Sequence, residues 1–415
     1  MEYQHVVAKA ASVSADPNEK FRNAVTPHNV VASWGLAANE KTKKPYSTHA
    51  NIGLALDHVP EMLRDAYYDE FLDKILVDGH EWRDDDDTGL CMWVQEHVGL
   101  VGITPGMVHC VVSHRLHQTP RHCVREYLES LTWDGVERIA HAFEDGWGAV
   151  PSDTQPSEYL RAVSANFLIG LVARIIRPGC QLDTMPVFEG DQGVKKSSAL
   201  RVLGGAWYMA ATESVNSKDF QQTLRGSWVA EIPELDSFSR GDRDRVKSII
   251  SIPIDKYRPS YGRHAREFPR QCVFAGTTNK DDWGNDDTGL RRFWPVRCSD
   301  IDLALIAASR DQWFAEAVHL FRAGASWWET PRAATLAAQA DRQYDDPWTP
   351  TALAWCLNRG DVTSAEVLIG AIKFRESDIG RVEQNRVGSI LRLAGWKRKA
   401  VRRDGHVVKA WVAPE

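Results

Sequence analysis

The stretch that decides the fold is MPVFEGDQGVKKSSALRVLGG, residues 185–205. A short apolar run precedes Gly190, and a helix-forming run follows Ser197 and ends at two glycines. In a strand, loop and helix of this order, the pattern GxxxxGKS binds phosphates, because backbone N–H groups and a helix N-terminus point at the anion. The lysine of the pattern, here Lys196, reaches the β- and γ-phosphates, and the Ser197 hydroxyl binds Mg²⁺. The stretch predicts a nucleotide-binding α/β domain.

One position departs from the pattern, because Lys195 stands where the motif has its second glycine. A side chain there strains the loop if the backbone needs a positive φ, or it adds a second phosphate contact, and the sequence leaves both open. A glycine-containing turn before a basic helix is the alternative to a phosphate loop. The residues predicted to surround the phosphates are Gly190, Asp191, Gln192, Gly193, Val194, Lys195, Lys196, Ser197 and Ser198.

A second apolar run, WVAEIPELDSF at residues 228–238, carries the acidic side chains that a phosphate-loop enzyme needs for its metal ion and its attacking water. Three carboxylates are available: Glu231, Glu234 and Asp236. Glu234 and Asp236 are two residues apart and project to the same side if the chain stays extended. We therefore predict that Glu234 and Asp236, rather than Glu231, serve the metal and the water.

Two further segments complete the predicted site. QCVFAGTTN at residues 271–279 ends in Asn279, whose amide is suited to sensing the γ-phosphate or orienting the water. DDTGLRRFWPV at residues 286–296 contains Arg291 and Arg292, which are placed to act as an arginine finger. Taken alone, Asn279 could cap a turn, and the two arginines could belong to a solvated surface. The order and spacing of all these segments along the chain favour the catalytic interpretation.

These segments together resemble the virulence-associated protein E family of phage and mobile-element proteins, which is related to superfamily 3 helicases. The resemblance covers about residues 30–300. It rests on GDQGVKKS (190–197), ELD (234–236), DKYRPSYGR (255–263), FPRQCVFAGTTN (268–279) and GLRRFWPV (289–296), with YLESLTWDGVERI (127–139) and VARIIRPGCQLD (172–183) upstream.

The resemblance implies a P-loop ATPase core of the superfamily 3, AAA+-like type that uses ATP and Mg²⁺. It further implies a homo-oligomeric ring, usually a hexamer, in which Arg291 or Arg292 reaches the ATP of a neighbouring subunit. In superfamily 3 enzymes a hairpin between the acidic strand and the asparagine strand points into the ring pore and grips single-stranded DNA. Here that position holds DKYRPSYGRHAREFPR, residues 255–270.

The hairpin has physical support of its own, because its tyrosines, Tyr257 among them, are suited to stacking on bases and its cations to following phosphates. The alternative is a basic surface hairpin without a ligand. Its predicted DNA contacts are Lys256, Arg258, Tyr261, Arg263, His264 and Arg266.

The C-terminal tail is basic although the whole chain has a formal net charge of −6. From Lys373 onward it holds eleven Lys and Arg against five Asp and Glu. Its pattern of helix, helix and two strands joined at Asp404 and Gly405 predicts a winged helix whose second helix enters the DNA major groove. A protein–protein module is the alternative. The candidate contacts to duplex DNA are Arg386, Arg392, Lys397, Arg398, Lys399, Arg402 and Arg403.

The remaining expectations come from the composition of the chain and from the positions of its loop-like segments. The chain of 415 residues is 43% hydrophobic and has seven scattered cysteines, which favours a globular protein with reduced thiols. With no signal-like start and no apolar run approaching roughly 18 residues, we expect a cytoplasmic protein without a membrane partner.

The predicted divisions are a mobile lead-in (1–25), a mainly helical domain (26–147), the ATPase domain (148–330), and a linker helix with the winged helix (331–415).

The sequence thus predicts an ATP-dependent, ring-forming DNA motor or helicase of a phage or mobile genetic element. ATP hydrolysis would drive translocation on single-stranded DNA during replication. Two alternatives stay open. One is a ring-forming ATPase that acts as a switch or in defence without unwinding, and the other is a DNA-binding protein with an inactive nucleotide pocket.

Overall fold

The computed structural model describes residues 33–211, 220–238, 240–259, 264–280, 283, 290–342, 346–403 and 406–414. The chain forms two compact units. The first comprises Met1–Leu131 with Arg225–Ser227, and the second comprises Thr132–Leu224 with Trp228–Glu415. Residues 132–147, which the sequence interpretation assigned to the first domain, therefore belong to the second unit. The expected lead-in, residues 1–25, lies outside the described residues.

The first unit combines four helices with a small antiparallel sheet in its described part. Each of three helices carries two buried apolar residues four positions apart, so each turns one apolar stripe towards a shared core: Ile52 and Leu56, Leu90 and Val94, Val108 and Val112. The elements are α1 (His49–His58), β1 (Ala66–Asp69), β2 (Lys74–Val77), β3 (His80–Glu81), α2 (Asp84–Val98), α3 (Pro105–Leu116) and α4 (Cys123–Ser130).

The second unit is built on a five-stranded sheet in which all neighbouring strands are parallel. The strands are β4 (Met185–Glu189), β5 (Tyr208–Ala210), β6 (Val229–Ile232), β9 (Val273–Thr278) and β10 (Phe293–Arg297), in the spatial order β10-β4-β9-β6-β5. β4, β6 and β9 are buried along their whole length, as expected for parallel strands covered on both faces. This arrangement confirms the predicted α/β fold class, and the structure adds that the sheet is parallel.

Helices and a separate hairpin surround this sheet. The helices are α5 (Ala142–Trp147), α6 (Ser157–Ile176), α7 (Lys196–Gly204), α8 (Phe220–Thr223), α9 (Arg240–Ile250), α10 (Leu303–Arg322) and α11 (Arg332–Ala340). The hairpin consists of β7 (Ile254–Tyr257) and β8 (Arg266–Pro269), which pair antiparallel. α10 packs on α6 and also on α7, the helix that follows the loop of residues 190–195.

The helix Ser157–Ile176 differs from the expectation for apolar runs. By length and composition this helix is apolar enough to cross a membrane, whereas no segment of the sequence was expected to be so. In the structure, 78% of its apolar window is buried inside the protein, where Phe167 contacts Phe143 and Phe188. It has the surroundings of a core helix.

The C-terminal part of the second unit has a hydrophobic cluster of its own. The elements are α12 (Thr349–Cys356), β11 (Asp361–Val362), α13 (Ser364–Gly370), α14 (Arg381–Leu393), β12 (Lys397–Arg403) and β13 (His406–Val412). The strands form an antiparallel sheet in the order β11-β13-β12. Gly388 lets α14 approach this sheet, because a Cβ atom there would lie 3.1 Å from Trp411 Cζ2. The predicted turn at Asp404 and Gly405 lies outside the described residues.

Candidate nucleotide-binding site

The loop of residues 190–195 follows the carboxyl end of β4. At this place in the sheet, the connections from two neighbouring strands, β4 and β9, run in opposite directions. From β4 the chain runs through α7 to β5 at one edge of the sheet, whereas from β9 it crosses β4 to reach β10 at the other edge. Crevices at such points, outside the carboxyl ends of parallel strands, are where open α/β sheets bind ligands. The loop therefore lies at the carboxyl ends of the strands, the side on which such sheets usually bind ligands.

The loop backbone needs unusual conformations at three positions. Gly190 has φ 149°, and a Cβ atom there would lie 2.6 Å from the carbonyl oxygen of Cys298. Gly193 has φ 94°. Lys195, immediately before α7, has φ 70° and ψ 26°, the left-handed conformation. For a residue with a side chain this conformation costs roughly 1–2 kcal/mol. The backbone at Lys195 is thus the kind for which the motif uses glycine.

The Lys196 side chain is buried and bridges the loop to the end of β9. Its Nζ atom donates to the carbonyl oxygens of Gly190 at 2.6 Å and Asp191 at 2.9 Å, and to Oδ1 of Asn279 at 3.1 Å. The structure therefore brings together Lys196 and Asn279, two residues predicted to act on the same phosphates.

A buried carboxylate, Glu231, lies at the end of β6 and is held by three hydroxyl groups. Ser197 Oγ and Thr277 Oγ1 each donate to Glu231 Oε1 at 2.6 Å. The Tyr208 hydroxyl donates to the other oxygen, Oε2, at 2.5 Å. Burial, together with the hydrogen bond to Glu231, raises the pKa of Tyr208, so this hydroxyl keeps its proton. Ser197, predicted to bind Mg²⁺, is thus paired with a carboxylate.

That carboxylate is not one of the two preferred from the sequence. The preference for Glu234 and Asp236 assumed an extended chain to residue 236, and this assumption was wrong. β6 ends at Ile232, and Glu234 has φ 52° at the start of a 3₁₀ turn, with its side chain exposed. The side chain of Asp236 lies outside the described residues. The structure places Glu231, which the sequence analysis had set aside, beside Ser197.

Arg291 and Arg292 lie at the amino ends of the parallel strands, whereas the loop lies at their carboxyl ends. The carbonyl oxygen of Arg292 accepts a hydrogen bond from the N–H of Met185, the first residue of β4. The loop begins beyond Glu189, the last residue of that strand. At about 3.3 Å per residue, β4 separates the two ends by roughly 15 Å. The structure does not bring these arginines to the loop of their own chain.

Several predicted DNA contacts of the β7–β8 hairpin already have partners within it. Lys256 Nζ lies 3.0 Å from Glu267 Oε1, and the guanidinium of Arg266 lies over the Phe268 ring. Tyr257 stacks on the same ring, with centroids 4.6 Å apart. Two further residues, Arg258 and His264, are exposed, whereas Tyr261 and Arg263 lie outside the described residues.

In the C-terminal part, two of the predicted DNA contacts are occupied by acidic partners. Arg386 forms hydrogen bonds with Asp346 at 2.6 and 2.8 Å, and its guanidinium lies 3.8 Å from the Trp348 ring centroid. Arg403 contacts Asp361 and Glu366. Both arginines therefore connect elements of the protein. The exposed members of the predicted set are Arg392, Lys397, Arg398, Lys399 and Arg402.

A buried ion pair at the base of the loop was missed from the sequence. Glu189, the last residue of β4, accepts hydrogen bonds from Arg342 at 2.7 and 2.9 Å and from Trp283 Nε1 at 2.8 Å. Burial raises the pKa of Glu189, and the hydrogen bonds from Arg342 oppose that shift. An acidic residue at the end of an apolar strand was the available signal, because a buried carboxylate needs a partner.

The fold and the site define an α/β protein with a cluster of hydroxyl, carboxylate, amide and ammonium groups at the carboxyl edge of a parallel sheet. The family model of the virulence-associated protein E-like domain matches residues 128–346, which is more than half of the chain. The chain therefore belongs to the virulence-associated protein E-like family, as its sequence motifs predicted.

Other comparisons give little beyond the family. A search of curated proteins by sequence gives no match. Among solved structures, an apo structure of the NrS-1 C-terminal region is similar, with 13% identity, a TM-score of 0.37, and coverage of 84% of this chain and 96% of that chain. An A form apo structure of the same region has 11% identity and a TM-score of 0.39, with the same coverage. These TM-scores are too low to establish a shared fold.

Proposed function

We propose that this protein is an ATP-hydrolysing, ring-forming DNA motor of a phage or mobile genetic element. The observation that carries the proposal is the pair of hydrogen bonds Lys196–Asn279 and Ser197–Glu231. They join the loop after β4 to the ends of β9 and β6 at one edge of the sheet. Membership of the virulence-associated protein E-like family supports the same conclusion.

The loop and the N-terminus of α7 would hold the phosphates. Backbone N–H groups at a helix N-terminus attract anions, and Lys196 would exchange its carbonyl partners in the loop for phosphate oxygens. Asn279 accepts from Lys196 now, so the lysine and the amide lie close enough to meet one γ-phosphate. Asn279 would thereby sense whether that phosphate is present.

The residues around Glu231 fit a magnesium ion. Mg²⁺ prefers oxygen ligands and is bound through one or two carboxylates together with substrate phosphates. The Ser197 hydroxyl and the Glu231 carboxylate are such ligands, 2.6 Å apart. When bound, the ion would neutralise charge on the phosphates during transfer. Glu234, three residues beyond Glu231, and Asp236 remain the candidates for activating water.

Hydrolysis by the wild type and two lysine variants tests the ATPase. We expect Lys196→Ala to lower kcat at least about 100-fold, since the phosphate charge loses a direct stabilising contact. Lys195→Ala is the comparison variant, because it removes the adjacent exposed lysine, which is not hydrogen-bonded to Asn279. Equal and negligible rates for wild type and Lys196→Ala would overturn the proposal and favour the alternative of an inactive nucleotide pocket.

Ring formation is proposed from the position of the arginines. Because Arg291 and Arg292 lie at the far end of β4 from the loop, an arginine finger would have to act on the ATP of another subunit. We expect a hexamer. Native mass measurement with a non-hydrolysable ATP analogue tests this; a monomer at every protein concentration would contradict it.

DNA would be contacted by the hairpin and by the C-terminal part. In the motor, β7–β8 would grip single-stranded DNA in the pore. The C-terminal succession of helix, strand, two helices and hairpin supports a winged helix, with α14 as the helix for the major groove. A strand-displacement assay separates this motor from a ring ATPase that acts as a switch or in defence, because only the motor unwinds a duplex.

One observation favours the alternative in which the winged helix binds protein. Exposed apolar side chains lie on α14 and on the hairpin, namely Val382 (75% exposed), Leu393 (51%) and Val407 (71%). Surface apolar residues at a basic module suit a protein partner as well as contacts to base methyl groups. Unchanged duplex affinity after removal of the residues beyond Pro350 would select the protein partner.

A further inference from the structure

Tyr208 contacts the proposed metal site from outside every motif in the sequence. It opens β5, the edge strand beside β6, and its hydroxyl donates to Glu231 Oε2. Ser197 and Thr277 both donate to the other oxygen, Oε1. The two oxygens of one carboxylate therefore have different neighbours.

We infer that Tyr208 is a positioning residue that orients the Glu231 carboxylate for Mg²⁺, an inference that rests on the proposed function. By holding Oε2, Tyr208 keeps Oε1 directed at Ser197, the second proposed ligand. The terminal torsion of a glutamate side chain is otherwise broad, so an unheld carboxylate would have to be ordered when the ion binds.

Tyr208 is itself fixed by the helix that carries Ser197. The Arg201 guanidinium on α7 lies 5.3 Å from the Tyr208 ring centroid, one helical turn after Ser197. α7 thus supplies one proposed ligand and also supports the tyrosine that orients the other. Partners of this kind, which hold the ligands of a metal, affect metal affinity by about 10–100-fold when removed.

The location of Tyr208 separates this role from a purely structural one. Tyr208 is half-buried, and its hydroxyl donates to the proposed metal ligand Glu231. Tyr159 provides the contrast within the same unit, since it is fully buried and its hydroxyl donates to the carbonyl oxygen of Pro295 at 3.0 Å. Removal of the Tyr159 hydroxyl should affect stability alone.

The test is the affinity of the full chain for a fluorescent ATP analogue, titrated with Mg²⁺ and measured also without metal. For Tyr208→Phe we expect unchanged metal-free affinity and an increase of about 10-fold in the Mg²⁺ concentration that gives half of the full enhancement. For Tyr159→Phe we expect a lower melting temperature and the wild-type Mg²⁺ requirement. A wild-type Mg²⁺ requirement in Tyr208→Phe, or equal weakening with and without metal, would overturn the inference.

A double-variant cycle makes the same test independent of general damage. If Tyr208 acts through Glu231, Tyr208→Phe should change the Mg²⁺ requirement in the wild type and not in the Glu231→Gln background. An equal change in both backgrounds would overturn the inference and leave the proposed function intact. A wild type whose nucleotide affinity ignores Mg²⁺ would instead contradict the proposed function itself, and the positioning role with it.

Discussion

The Nε and Nη2 atoms of Arg342 donate hydrogen bonds to the two carboxylate oxygens of Glu189, and both side chains are almost completely buried. Glu189 is the last residue of β4, so the loop of residues 190–195 starts at the next peptide unit. Arg342 comes from beyond α11, near the start of the C-terminal part. The ion pair therefore fixes the base of the loop to a segment more than 150 residues further along the chain.

Removal of one partner of this pair should be costly. Arg342→Met leaves a buried, uncompensated carboxylate, and we expect the free energy of unfolding to fall by about 3–5 kcal/mol. Urea denaturation measures it. The double variant Arg342→Met with Glu189→Gln should regain part of the loss, because the buried charge is gone. A double variant no more stable than the single one would contradict this account.

Lys195 permits a separation of backbone strain from charge. Lys195→Gly relieves the left-handed conformation, and we expect a protein at least as stable as the wild type and more stable than Lys195→Ala by about 1 kcal/mol. Lys195→Ala keeps a Cβ atom, and with it the backbone strain, but removes the rest of the side chain together with its charge. Thermal unfolding and ATP affinity are the measurements. A similar loss of ATP affinity in both variants would show instead that the Lys195 ammonium contacts a phosphate.

The two glutamates after β6 should differ when each is changed to glutamine. Glu231→Gln should reduce the Mg²⁺-dependent gain in nucleotide affinity and raise the Mg²⁺ concentration that this gain requires, because it removes the charge beside Ser197. Glu234→Gln should keep that gain, since its side chain is exposed beyond the strand that carries Glu231. It should lower the rate of hydrolysis, because Glu234 is a proposed activator of water. Paired binding and turnover measurements distinguish them. The reverse pattern would restore the original preference for Glu234 as the metal ligand.

The exposed and the occupied arginines of the C-terminal part should respond differently to salt. A plot of log K against log salt concentration has a negative slope, and each lost phosphate contact reduces the magnitude of that slope by about one. We expect that change for Arg402→Gln. For Arg386→Gln we expect the wild-type slope and reduced thermal stability, because Arg386 is bonded to Asp346 and stacked on Trp348. Anisotropy of labelled duplex DNA across a salt series measures the slopes.

The sequence predicted the α/β fold class and the position of the loop because apolar runs are followed closely by polar residues. Val187 and Phe188 precede the loop, and Val273 to Gly276 precede Thr277 and Asn279. The family prediction, made from the same segments, is confirmed by the family match. Periodicity and motif order carry this information because they are local properties of the chain.

The position of Glu231 beside Ser197 was missed because it depends on where a strand stops. Pro233 follows directly after β6, and Glu234 then adopts a left-handed backbone that ends the alternation of side chains. A residue count along the sequence cannot detect that turn. Tyr208 and Arg342 were missed for another reason, since their partners are distant in sequence and only the folded chain brings them together.

The three residues Arg225–Ser227 belong to the first unit although second-unit chain flanks them on both sides. Gly226 has φ 74°, and a Cβ atom there would lie 3.0 Å from Leu72 Cδ2, so this short return is packed closely. A fragment that starts at Thr132 would carry these residues without their neighbours, and a fragment that ends at Leu131 would lack them. Exchange of the first unit between related genes would thus need two additional crossovers inside the second, so the boundary at Leu131 is a poor site for modular recombination.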